Sequence, residues 1–119
     1  MSRAVEYFLE RARRRAEYFE RYLEYCRLIK RKVEERWGPV RVVVFGSVVR
    51  GDYNPALSDI DVLVVTPWEP SPRERAAIIC YVKNKVLKDP AAPFEVHVAS
   101  EREYREWYSR FIDVMKEVE

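Results

Sequence analysis

The stretch Phe45 to Val65, FGSVVRGDYNPALSDIDVLVV, decides how the rest of the chain is read. An apolar run ends at Phe45, the chain turns through Gly46-Ser47, passes Arg50-Gly51, and enters a second apolar run that opens with Asp59-Ile60-Asp61. Side chains on a strand alternate with a period of two, so Asp59 and Asp61 point to one face. Two like charges side by side are costly, and apolar packing does not explain them. A turn-and-cap reading, with Ser58 and Asp59 satisfying backbone donors at the strand entry, stays open. It leaves the Gly-Ser turn without a purpose.

Working upstream, Val40 to Phe45 is the β-branched run of a buried strand, and Gly38-Pro39 ends what precedes it. Residues 2–36 hold no Gly or Pro, and Val5, Leu9, Ala12, Ala16, Phe19, Leu23, Cys26 and Val33 recur at three- and four-residue steps. That spacing predicts one long amphipathic helix. At about 1.5 Å per residue it would reach ~50 Å, more than a domain of this size covers. Part of it is expected to overhang or to pack on a partner, with an oligomer formed through this helix as one outcome.

Downstream, Asp52-Tyr53-Asn54-Pro55 is turn chemistry before a strand from Asp59 to Thr66. Ser71-Pro72-Arg73-Glu74 is a capping box with Pro at the first helical position, and its helix runs to Asp89-Pro90. A third strand alternates, with Phe94, Val96 and Val98 on one face and Glu95 and His97 on the other. Ser100 with Glu103 opens a last helix whose apolar face is Tyr104, Trp107, Tyr108, Phe111, Met115 and Val118. The fold class expected is α+β, with a small mixed sheet of about three strands flanked by helices. One domain over residues 1–119 is expected, with 1–37 as an N-terminal helical extension and 38–119 as the core.

Hydrophobic residues at 48% and charged residues at 35% place the chain among soluble globular proteins. No apolar run nears the ~18 residues of a membrane span, and the N-terminus lacks a signal-peptide core, so the cytoplasm is expected. Cys26 and Cys80 show no metal-binding spacing and are read as buried structural thiols. Residues 1–36 carry 11 Lys/Arg against 7 Glu, a modest excess interleaved with acids, which argues against a nucleic-acid partner. Gln is absent, Asn occurs only at 54 and 84, and Arg and Glu are dense, a composition resembling that of proteins from hot environments.

The residue types around the opening stretch suit phosphate and metal together. Gly46 and Ser47 ahead of a short helical turn offer backbone N–H groups and a hydroxyl to an anion, and Arg50 adds positive charge unless it is a solvated loop residue. Asp59 and Asp61 supply hard oxygen ligands of the kind Mg²⁺ takes when substrate phosphates complete its shell. Glu95 is the candidate for a third carboxylate, as a ligand or as the base that takes a proton from an attacking hydroxyl. A solvated Glu and His on an exposed strand face is the competing reading of Glu95 and His97. His97 is a less natural Mg²⁺ ligand, since that ion prefers oxygen.

Gly-Ser, an Arg-Gly a few residues on, then Ser-Asp-x-Asp entering a strand resembles the signature of the nucleotidyltransferase superfamily of the DNA polymerase β type. In size the chain is similar to the minimal nucleotidyltransferases, often the antitoxin halves of toxin–antitoxin pairs whose partner is an all-helical HEPN protein. The resemblance implies that Gly46 and Ser47 hold a triphosphate, that Asp59 and Asp61 ligate one or two Mg²⁺ ions, and that Glu95 stands at the third acidic position. That position is commonly Asp, so Glu95 is a departure. The activity implied is transfer of a nucleoside monophosphate, AMP from ATP, to a hydroxyl on a partner protein. Two alternatives stand beside it: a catalytically silent antitoxin that neutralises its partner by contact, and an RNA-directed transferase.

Overall fold

The computed structural model describes residues 2–119, with the side chain of Phe111, one of the expected apolar positions of the last helix, lying outside the described set. The N-terminal segment forms α1 (Arg3–Glu20) and α2 (Tyr22–Trp37) in place of one unbroken helix. The break is at Arg21, where φ is −113° and ψ 25°. No Gly or Pro marks it, and Arg21 is held from both sides by Glu17 and Glu24. The Ser2 hydroxyl caps α1 by accepting from the Val5 amide, and Gly38 ends α2 at φ 95°. Beyond Arg11 the helices bury Tyr18, Phe19, Cys26, Ile29 and Val33. The first turns of α1 overhang, as the length argument expects, and the molecule is 52 Å in its longest dimension.

Four strands form the sheet: β1 (Arg41–Phe45), β2 (Ile60–Thr66), β3 (Phe94–Ser100) and β4 (Met115–Val118), in the order β3-β2-β1-β4. A one-turn helix α3 (Ser47–Arg50) follows β1, and α4 (Pro72–Tyr81), extended by a π-helical turn over Val82–Val86, crosses from β2 to β3. Such a crossover is what allows β2 and β3 to run parallel. β1 is antiparallel to both of its neighbours. Both predicted capping boxes are present, at Ser71/Glu74 and Ser100/Glu103.

The sheet buries both faces unequally. Val42, Val44, Ile60, Val62, Val64, Phe94, Val96 and Val98 face α1, α2 and α4 in the main core. Val43, Leu63, Val65 and Ala99 face Tyr104 of the last helix, α5 (residues 101–111), with Phe45 and Tyr108 at the edge of that smaller cluster. Only the far end of this second face is covered. Asp61, Glu95 and His97 occupy the open end.

Two further expectations are corrected. The last helix stops at residue 111, and Met115–Val118 is a strand rather than its final turn. β1 would otherwise be a bare edge, and its backbone groups recruit this segment, with Val42 opposite Val118 and Phe45 opposite Met115. The sheet is the small mixed sheet expected, with this segment added at its edge as a fourth strand. Arg41 ties the addition down, bonding Glu117 at 2.7 Å and Glu101 at 2.9 Å while stacking over Tyr104. Cys26 is buried, with its thiol pushed up to about 12 by desolvation, but Cys80 is exposed because its position on α4 faces solvent.

Candidate functional site

The Gly-Ser turn is built by its glycine. Gly46 has φ 84° and ψ −156°, a region essentially closed to residues with a β-carbon. It also lies against the carboxylate of Asp61, where a β-carbon would come within 2.6 Å of Oδ2. The Gly46 carbonyl accepts from the Val49 and Arg50 amides, which starts α3 and leaves Ser47 at its head. The turn and the acidic strand are therefore packed directly against each other.

Strand register assembles the acids. Asp61 is opposite Phe45 on one side and opposite Glu95 on the other, and His97 lies one pleat further along β3, opposite Leu63. His97 Nε2 is 3.8 Å from Asp61 Oδ1 and 3.6 Å from Glu95 Oε1. One ligand atom from each of the three lies within 4.8 Å of the others, which makes them the set able to converge on one ion among the described residues. Asp61, at ion-pair rather than hydrogen-bond distance, raises the pKa of His97; burial opposes the rise and the Glu95 carboxylate adds to it. A protonated His97 offsets the repulsion between the two carboxylates.

A cleft of about 380 Å³ gathers Gly46, Ser47, Arg50, Asp59, Asp61 and Glu95, all six residues singled out from sequence. Asp59 lines its wall without joining the tighter Asp61–Glu95–His97 set. Arg50 lines the cleft while its guanidinium pairs with Asp52 at 3.2 Å and Asp113 at 3.3 Å. Beside it an aromatic annex of about 350 Å³ shares Phe45, Asp61, Glu95 and Ile112, and adds His97, Trp107 and Tyr108. Asp113 and Ile112 carry no local sequence signal, because both reach the cleft through the turn from α5 into β4.

The loop between the turn and β2 is fastened from outside. Arg15 of α1 donates to the carbonyls of Pro55 at 2.8 Å and Ser58 at 2.7 Å. The Ser58 hydroxyl accepts from the Asn54 amide, and Asn54 Oδ1 accepts from the Ala56 amide. The Ile60 amide bonds the Pro93 carbonyl at 2.7 Å, joining the start of β2 to the start of β3. Asp59 is carried into the cleft by a loop closed on itself and braced by α1. No helix among the described residues is long and apolar enough to cross a membrane.

The profile of the nucleotidyltransferase domain family matches residues 26–117, most of the chain. Among solved structures, a crystal structure whose protein carries a provisional nucleotidyltransferase name is similar at 27% identity and a TM-score of 0.62, over 76% of this chain and 94% of that one. A second, likewise provisionally named, comes from Sulfolobus solfataricus, with 23% identity and a TM-score of 0.54 over 87% and 84% of the two chains. At that identity the second likeness speaks for the fold alone. No curated protein matches the chain significantly.

Proposed function

Because this chain belongs to the nucleotidyltransferase domain family, we propose that its cleft transfers a nucleoside monophosphate, AMP from ATP, to a hydroxyl on a partner protein, and that the chain is the antitoxin of a pair with an all-helical HEPN protein. The observation that carries turnover rather than binding alone is the placement of Glu95. It stands opposite Asp61 on the neighbouring parallel strand, facing the same cleft as the Gly-Ser turn.

The oxygen donors present fit a hard divalent cation: Asp61 and Glu95 would hold Mg²⁺ from within the tight set, and Asp59 would join them from the wall of the same cleft. When bound, the ion supplies charge neutralisation for the phosphates and for the leaving pyrophosphate. The chain's own residues do the rest. The turn at Gly46-Ser47 receives the phosphates on backbone N–H groups and the Ser47 hydroxyl, and Arg50 adds charge if it is released from Asp52 and Asp113. Glu95 takes the proton of the acceptor hydroxyl as its oxygen bonds to the α-phosphorus and the bond to the bridging oxygen breaks. The aromatic annex opens beside Glu95, where an acceptor has to arrive to lose that proton.

The experiment is incubation of labelled ATP and Mg²⁺ with this chain and the protein that co-purifies with it or is encoded beside it. Label should pass to the partner, and the Asp59→Asn/Asp61→Asn variant should transfer none. Absence of label with the wild-type chain, or equal labelling by the variant, rejects the proposal. Full neutralisation of the partner by that variant would favour the contact-only reading.

A further inference from the structure

The first turns of α1 extend past the body of the molecule and carry an apolar stripe into solvent. Val5, Phe8 and Leu9 are 46%, 68% and 52% exposed. Ala12 is exposed as well. The helix is anchored along a different side, through Arg11 to Asp89 and Ala91, Arg15 to the 55–58 loop, and the buried Tyr18 and Phe19. At about 100° per residue, Val5, Leu9, Ala12 and Ala16 fall on one line, roughly a quarter turn from that anchored side. The fold leaves Val5, Leu9 and Ala12 of this line exposed and Ala16, nearest the body, half-buried.

We propose that the stripe is the contact between two copies of this chain, packed as an antiparallel helix pair about a twofold axis. Its residues are self-complementary in that arrangement. Antiparallel packing at a register where facing residue numbers add to about 20 sets Val5 against Ala16 and Leu9 against Ala12, large side chains on small ones, as close helix packing requires. The same register brings Glu6 of one copy beside Arg13 of the other on the outer flank. Phe8, on the flank nearer the body, then reaches the 55–58 loop of the other copy, where Leu57 is 82% exposed. Each contact occurs twice, as a twofold axis demands. A parallel pair would set Glu6 on Glu6 and Arg13 on Arg13. The acids interleaved at Glu6 and Glu10 disfavour a polyanion on the same surface.

The pairing reaches the cleft. Leu57 lies in the loop that delivers Ser58 and Asp59, so the second copy's helix covers the outer side of that loop while Arg15 braces it from its own chain.

The test is sedimentation equilibrium of the intact chain from micromolar to near-millimolar concentration. The mass should rise from the 14.3 kDa of one chain towards twice that value. Leu9→Lys should remain at one chain mass with an unchanged far-ultraviolet spectrum, because residue 9 touches no part of its own core. Glu6→Arg should weaken association about tenfold by setting like charges together twice, and Glu6→Arg combined with Arg13→Glu should restore it. Three outcomes each overturn the proposal: a wild-type chain that stays monomeric throughout, leaving the stripe to another protein or a lipid surface; association that ignores Leu9→Lys; or a double swap that fails to rescue Glu6→Arg.

Discussion

A β-carbon on Gly46 would sit 2.6 Å from Oδ2 of Asp61, so the phosphate-type turn and the acidic strand touch only because residue 46 has no side chain. Gly46→Ala therefore acts twice. Its backbone conformation costs about 1–3 kcal/mol for a residue with a β-carbon. The new methyl also displaces the Asp61 carboxylate. Thermal melts should show the stability loss, and calorimetric titration should show weaker Mg²⁺ binding. Unchanged ion affinity would mean that Asp61 can move without consequence.

Removing the negative charge at Asp61 or Glu95 should separate activity from stability. Neither carboxylate is in the core, and each relieves repulsion on the other when neutralised. Asp61→Asn and Glu95→Gln should keep or raise the melting temperature while nucleotide transfer falls ~100-fold or more, through loss of the ion's carboxylate at Asp61 and of the general base at Glu95. A Glu95→Gln variant with wild-type initial rates would remove Glu95 from the chemistry.

Arg15 touches the cleft only through the loop that it braces. Arg15→Met keeps most of the stem and deletes both hydrogen bonds to the Pro55 and Ser58 carbonyls, a loss of about 1–3 kcal/mol in local order. Amide hydrogen exchange should rise across residues 53–59 with β2 unchanged. The KM for the nucleotide should increase more than kcat falls, because the loop places Asp59 and not Glu95.

Asp89 anchors α1 to the start of β3. Burial pushes its pKa up, but the Tyr18 hydroxyl at 2.9 Å, the Ala91 amide at 3.1 Å and Arg11 at 3.4 Å together hold it below the usual value. A carboxyl with a depressed folded pKa stabilises above its unfolded pKa, near about 4, and the contribution is lost as pH falls through the folded value. Wild-type stability should thus decline below pH ~4 more steeply than that of Asp89→Asn. At neutral pH the variant should be about 1–3 kcal/mol less stable by denaturant titration.

Much of this protein was legible in its residues because the information is local. Gly46-Ser47, the two capping boxes and the alternation of Glu95 and His97 each depend on spacing within one element, and periodicity or turn chemistry reports them directly. The break at Arg21 carries no Gly or Pro, and Met115 and Val118 continue a helical spacing, so neither the kink nor β4 had a local signature. β4 exists because β1 presents unpaired backbone groups beside it, which is a property of the assembled sheet.

By itself, then, the sequence singled out the candidate phosphate and metal residues and the strand faces of Asp61, Glu95 and His97. Tertiary structure decided which of them meet. Parallel pairing of β2 with β3 set Glu95 against Asp61, across more than 30 residues of chain, and brought His97 in where Asp59 was expected to complete the tight group. Register between strands is fixed by the burial of Val62 and Val96 on the opposite face, where a one-residue slip would turn every side chain over, and no motif within either strand encodes it.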